Sequence, residues 1–218
     1  MSQNHRLSIV IPCYNEEAVL GETKMKIAGK MQSLIQRELI DPQSKVFFVD
    51  DGSVDNTWEI IAGYAAESDM FHGVKLSRNC GHQNALMAGL MAADGDIVVS
   101  MDADLQDDID AIDDMIQKHR EGAEIVFGVR ANRQLDTGAK RLTALGYYRL
   151  MRLMGVDLVD NHGDFRLMGR AAVDALKGFR EVNLFLRGMI PLLGFRTDTV
   201  YYDRGSRYAG DSKYSLGK

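Results

Sequence analysis

The chain has 218 residues, 45% of them hydrophobic and 26% charged, with a formal net charge of -5 at pH 7. Those values fit one globular domain with a substantial core, and the acidic excess argues against a nucleic-acid partner. Two cysteines, Cys13 and Cys80, make no disulfide framework and favour a reducing, cytosolic setting, with a Cys13–Cys80 bridge left open.

Met1 to Arg6 lacks the charged-then-apolar layout of a signal peptide. Leu7 to Ile11 reads as a strand stopped by Pro12, and Glu16 to Leu39 as a helix with Leu20, Ile27, Met31, Leu34 and Ile35 on one face. Lys45 to Val49 is a second strand, Thr57 to Ala66 a helix, and Val74 to Leu76 a short strand. Ala85 to Ala93 is a helix rich in small residues, followed by the apolar strand Ile97 to Met101. A helix from about Asp108 to His119 and a strand from Glu124 to Gly128 complete the first half. This alternation predicts an α/β fold with a mostly parallel sheet and helices on both faces. The second half is less regular. Lys140 to Met154 reads as an amphipathic helix with a basic edge, Ala171 to Leu176 as a short helix, and Thr199 to Tyr202 as a strand. Ser206 to Lys218 reads as a polar, flexible ending. No apolar run approaches the roughly 20 residues of a membrane helix. The longest, Gly188 to Phe195, contains Pro191.

Three strands end in polar clusters: Tyr14-Asn15-Glu16, Asp50-Asp51-Gly52-Ser53 and Asp102-Ala103-Asp104-Leu105-Gln106. In an open α/β sheet ligands bind at this carboxyl edge. Two carboxylates one residue apart, with an amide oxygen two further on, suit a hard divalent cation that completes its shell with water and phosphate oxygens. An acidic turn leading into a helix is the alternative, since Asp107 and Asp108 follow. Asn15-Glu16 and Asp50 to Thr57 are each also readable as turns entering capped helices. A carboxylate at such an edge accepts N–H groups of uracil or guanine, and Tyr14 can stack on a base. His82 reads as a helix-start or pocket residue, because it and His162 lack the spacing of a zinc site.

Pro12-x-Tyr14-Asn15-Glu16, Asp50-Asp51-Gly52-Ser53, Arg78-Asn79-x-Gly81 with Ala88-Gly89, and Asp102-Ala103-Asp104 together resemble the family 2 glycosyltransferases of GT-A fold. Gly163-Asp164-Phe165-Arg166-Leu167-Met168 and Arg204-x-x-Arg207-x-x-Gly210-x-Ser212-Lys213-Tyr214 narrow the resemblance to the polyprenyl-phosphate glycosyltransferases. It covers Leu7 to Lys218 and implies one GT-A domain, with a nucleotide-sugar half (1–129), an acceptor half (130–203) and an active-site loop and tail (204–218).

The resemblance implies Mg2+ or Mn2+ on Asp102, Asp104 and Gln106. It implies a nucleoside pocket of Pro12, Tyr14, Glu16, Asp51 and Ala103. Arg207, Ser212 and Lys213 would close over the diphosphate with Gly210 as hinge. The donor would be a UDP- or GDP-hexose, with UDP-glucose favoured, and the acceptor a polyprenyl phosphate. Arg130 would meet the acceptor phosphate, with Lys140 or Arg141 beside it. Asp164 would position the acceptor, orient Arg166 or stabilise charge at the sugar carbon. A phosphate acceptor is largely ionised at neutral pH and needs no strong general base.

Such enzymes continue past Ser-Lys-Tyr into membrane helices. The expectation is therefore either a chain cut before those helices or a relative held at the cytoplasmic face of the membrane by its surface. Leu184-Phe185-Leu186 and Met189 to Leu193 read as an interfacial segment or a core helix. A homo-oligomer stays open. The competing functions are a glycosyltransferase with a polysaccharide or soluble acceptor, and a non-catalytic nucleotide-sugar-binding protein.

Overall fold

A computed structural model describes residues 4–131, 162–179 and 184–203. In chain order the elements are β1 (Leu7–Cys13), α1 (Leu20–Gln36), β2 (Lys45–Asp50), α2 (Thr57–Glu67), β3 (Phe71–Lys75), α3 (His82–Ala92) and β4 (Ile97–Ser100). They continue with α4 (Ala111–Arg120), β5 (Ile125–Arg130), β6 (His162–Gly169), α5 (Arg170–Leu176), α6 (Leu186–Leu192) and β7 (Thr197–Tyr202). The expected helix at Lys140 to Met154 and the polar ending lie outside the described residues.

The seven strands form one sheet in the order β3-β2-β1-β4-β6-β5-β7. Every pairing is parallel except those of β6, which runs antiparallel to both β4 and β5. Strands buried on both faces need apolar side chains on both. β1 accordingly sends Ile9 and Ile11 into a core shared with α1, α2 and α4, and Val10 into a second core under α3, α5 and α6. β6 was not legible as a strand because Gly163, Asp164 and Arg166 interrupt its apolar pattern. Its even-spaced Phe165 and Leu167 nonetheless enter the first core, and Met168 the second.

Element ends shift by a few residues for local reasons. α1 starts at Leu20 rather than Glu16, because the N–H groups of Val19 and Leu20 both donate to the Glu16 carbonyl in a tight turn. α4 starts at Ala111, after the Asp108 side chain has accepted the Asp110 N–H at 2.9 Å. The Leu184 to Leu193 segment is a core helix over most of its length, with Leu186 and Ile190 fully buried. Phe185 and Leu192 at its ends stay exposed. No helix among the described residues is long and apolar enough to cross a membrane. Cys13 and Cys80 are free thiols.

Two contacts hold helices to the sheet or to each other. Gly89 lets α3 sit directly on β1 and β2. A Cβ there would lie 2.7 Å from Val49 Cγ2 and closer still to Val10 Cγ1. On the other face the buried Lys30 Nζ bridges Asp110 and Asp113 at 2.8 and 2.6 Å, joining α1 to α4.

Gly89→Ala should therefore lower stability by about 1–3 kcal/mol, as overpacking does, read from the denaturant midpoint. Asp113 supplies a pH-dependent prediction. Burial pushes its carboxyl up, but hydrogen bonds from Lys30 and Arg37 outweigh that and hold it below its ordinary value. Stability from such a group is present above the unfolded pKa and is lost as pH falls through the folded one. Asp113→Asn should reduce stability at neutral pH and leave a smaller loss on going to about pH 3. Urea unfolding at both pH values checks this.

Candidate active site at the carboxyl edge of the sheet

The parallel strands deliver their carboxyl ends to one edge, and antiparallel β6 delivers its amino end there. That reversal is why Asp164, at the start of a strand, meets Asp102, just past the end of another.

The first strand-end loops are tied together. Asn15 has φ of 53°, a left-handed conformation that asparagine tolerates. Its N–H donates to Ser53 Oγ at 3.0 Å, and its Oδ1 accepts the Val54 N–H at 2.9 Å. The Glu16 N–H donates to Thr57 Oγ1 at 2.8 Å. Asp51 is buried and accepts the N–H groups of Cys80 (2.7 Å) and Gly81 (3.0 Å). Gly52, with φ of 68°, packs directly on the backbone of Arg78 and Asn79, where a Cβ would lie 2.6 Å from the Asn79 nitrogen. Sequence segments that read as separate motifs are thus one hydrogen-bonded floor.

That floor bounds a cavity of about 260 Å³ lined by Pro12, Tyr14, Glu16 and Asp51. Asp102, Ala103 and Asp104 line it as well, with Asn79, Gly81 and His82. Seven of the residues expected around the nucleotide therefore share one cavity. Gln106 is not on its wall; the Gln106 N–H donates to Asp104 Oδ1 at 3.1 Å. The turn is anchored to α1 by Thr23 Oγ1, which donates to the Ala103 carbonyl at 2.8 Å. Leu105 has φ of 56°, so the turn carries local strain at a branched side chain.

Asp102 is pushed up to about 6. Burial is the largest cause; His82 opposes it, and the carboxylates of Asp107, Asp164 and Asp104 add to it. Such crowded negative charge fits a divalent cation. Among the described residues no three His, Cys, Asp or Glu side chains converge as a metal cage. A cation here would thus have to draw further ligands from an amide, water or a phosphate.

A second cavity of about 480 Å³ adjoins the first through Gly81, His82 and Asp102, and is lined as well by Gln83, Asp164, Phe185 and Arg187. Asp164 is its hub. Oδ1 accepts from Arg166 Nη2 at 2.5 Å, and Oδ2 from Arg187 Nη2 at 3.0 Å and Gln83 Nε2 at 3.3 Å. His82 Nε2 lies 3.2 Å from Asp164 Oδ2 and 3.7 Å from Asp102 Oδ1. Burial pushes the Asp164 carboxyl up, yet His82, Arg166 and Arg187 hold it far below the usual carboxylate range. Burial likewise lowers His82, but Asp164 and Asp102 outweigh it and raise its pKa. Arg166 is fully buried, and no described group accepts from its Nε or Nη1.

Arg130, at the end of β5, reaches the same rim. Its Nη2 lies 3.1 Å from Asp107 Oδ1, and its Nε 3.2 Å from the Tyr202 hydroxyl. Arg141, Arg207, Ser212 and Lys213 lie outside the described residues. Gln83, Asp107, Arg187 and Tyr202 were not foreseen as site residues. Asp107 had a signal, being third in the acidic run. The other three are brought in only by tertiary packing.

A family model described as glycosyl transferase family 2 matches residues 8–177. The uncharacterized glycosyltransferase YkoT of Bacillus subtilis (strain 168) is 50% identical over 214 residues, covering 97% of this chain and 64% of that protein. The prophage bactoprenol glucosyl transferase homolog of Escherichia coli (strain K12) is 36% identical over 211 residues, covering 96% and 67%. The chain spans about two thirds of the length of these curated relatives. The mannosyltransferase PcManGT from Pyrobaculum calidifontis, solved in complex with GDP-Man and Mn2+, shares the fold with a TM-score of 0.64 at 21% identity, over 92% of this chain and 56% of that one. The sheet order, the rim and the match over residues 8–177 agree, and the chain belongs to glycosyl transferase family 2, on a GT-A fold.

Proposed function

We propose that the chain carries the catalytic domain of an inverting glycosyltransferase that moves a hexose, with UDP-glucose as favoured donor, to a polyprenyl phosphate at the cytoplasmic face of a membrane. The observation that carries this reading is the shared rim. A cavity with the expected nucleoside residues and with Asp102 and Asp104 adjoins a second one at Asp164, and Arg130 reaches the same edge. The relatives named bactoprenol glucosyl transferase support a lipid-phosphate acceptor and glucose. The PcManGT complex, with GDP-Man and Mn2+, supports a nucleotide-sugar donor and a divalent cation.

In this reading Pro12, Tyr14, Glu16, Asp51 and Ala103 line the nucleoside pocket. Asp102, Asp104 and Gln106 hold Mg2+ or Mn2+, which when bound offsets negative charge on the leaving diphosphate. Arg207, Ser212 and Lys213 add cationic and polar contacts to that diphosphate, excluding water as they close. Arg130, with Lys140 or Arg141, holds the acceptor phosphate through the paired donors that suit such an anion. An acceptor phosphate oxygen attacks the anomeric carbon in line, and the bond to the diphosphate oxygen breaks with its electron pair. The configuration inverts.

Asp164 is not a base in this scheme. Its carboxylate is engaged by two guanidiniums, an amide and an imidazole, and stays ionised. A phosphate nucleophile, with a second pKa of about 6, needs no proton removed by a strong base. Asp164 instead orients buried Arg166 and holds Arg187 at the wall of the second cavity.

The decisive experiment incubates the protein with Mn2+ or Mg2+, detergent-dispersed undecaprenyl phosphate and a panel of radiolabelled UDP- and GDP-sugars. Label should pass to the organic phase with one donor. EDTA should abolish transfer, and Asp104→Asn should lower it by about 100-fold or more. Donor hydrolysis without transfer to lipid would instead favour a polysaccharide or soluble acceptor. Asp164→Asn should lower kcat without removing a limb from the pH–rate profile. It should also cost about 3 kcal/mol of stability, because buried Arg166 loses its counter-charge. Kinetics across pH and chemical unfolding check the two effects separately.

A further inference from the structure

We propose that Tyr202 and Asp107 form a clamp that positions Arg130 and ties it to the acidic turn. The proposal rests on the reading above that Arg130 meets the acceptor phosphate, and it assigns roles to two residues outside that reading.

The clamp is a closed ring of three hydrogen bonds. Arg130 Nε donates to the Tyr202 hydroxyl at 3.2 Å, that hydroxyl donates to Asp107 Oδ1 at 2.5 Å, and Arg130 Nη2 donates to the same oxygen at 3.1 Å. Nε and Nη2 donate from one edge of the planar guanidinium, so holding that edge fixes the direction of the other. Each partner is itself immobilised. Arg130 and Tyr202 are register partners on β5 and β7, and the Ala131 N–H donates to the Tyr202 carbonyl at 2.8 Å. The Phe165 ring stands edge-on to Tyr202, with centroids 5.3 Å apart. The side chain of Asp107 is 2% exposed and that of Arg130 29%. The clamp is therefore buried at Asp107, while the guanidinium stays partly exposed at the rim.

Position gives the ring its function. Arg130 Nη2 lies 3.8 Å from where a Cβ would stand on Gly163, the neighbour of Asp164. Asp107 is one residue past Gln106 on the turn that bounds the donor cavity. The ring thus sets the distance between the donor side and the acceptor cation, which in-line attack requires to be constant. Tyr202 and Asp107 act through Arg130 and are positioning residues.

The test is steady-state kinetics of lipid-phosphate glycosylation on the full chain, with undecaprenyl phosphate and UDP-glucose each varied. Tyr202→Phe should raise the acceptor KM by about tenfold, the loss of a hydrogen bond to a charged group, while the donor KM stays unchanged. The same change made in an Arg130→Ala background should add nothing, because its effect passes through Arg130. Asp107→Asn, which keeps the size of the side chain, is the second variant and should give the same non-additive pattern. An unchanged acceptor KM, equal rises in both KM values, or effects that add to that of Arg130→Ala would each overturn the clamp. A parent chain that binds UDP-glucose but transfers nothing to lipid overturns the functional reading, and the clamp's purpose with it.

Discussion

Crowding of like charge at one rim governs this molecule. Asp102, Asp104 and Asp107 occupy a single turn, and β6 runs backwards through the sheet to add Asp164 to them. Carboxylates so close cannot all be ionised and buried without counter-charge. Two of them have it from the protein. Asp164 is matched by Arg166 and Arg187, and Asp107 by Arg130 with help from Tyr202. Asp102 is still pushed up to about 6 despite the pull of His82. The proposed cation site rests on this division, because the turn keeps negative charge where a donor diphosphate would otherwise be repelled.

The donor side is built to be stiff. Backbone N–H groups of the segments after β1 and β3 end on side chains of the segment after β2: Asn15 on Ser53, Glu16 on Thr57, Cys80 and Gly81 on Asp51. α3 begins at the cavity with His82 and Gln83 and is indexed against β1 and β2 by the close approach at Gly89. The Gln83 side chain accepts the Leu186 N–H at 3.1 Å and so carries that positioning on to α6. These cross-bonded loops leave little of their own ordering for ligand binding to supply.

Most of the parallel half was legible in the sequence, because strands buried on both faces spell out runs that are apolar but for a single serine, such as Leu7 to Ile11 and Ile97 to Met101. Their polar ends fell on one edge by topology alone, and Pro12, Tyr14, Glu16, Asp51, Asp102, Ala103 and Asp104 do line one cavity. The strand His162–Gly169 was not legible. Its outward signs are a glycine, an aspartate and an arginine, and those charges are compatible with burial only because Asp164 pairs with Arg166 on the same strand and with His82, Gln83 and Arg187 from elsewhere in the fold. Arg187 and Tyr202 were missed for a related reason. Each reads locally as an ordinary helix or strand residue, and its role comes from a partner 23 or 95 positions away.

The antiparallel strand also shapes how this architecture can diversify. Among the described residues β5 ends at Arg130 and β6 begins at His162, and the register pairs Val129 with His162. Departure and return therefore lie side by side at the reacting rim. Closing a longer excursion between fixed ends costs only about 0.6 kcal/mol for each doubling of its length. The fold thus offers an exchangeable port on its acceptor side. A change of length between these two fixed ends leaves the pairing of β5 with β6 in place. The cross-bonded donor loops allow no such editing, so new acceptors are the changes this scaffold accommodates at least structural cost.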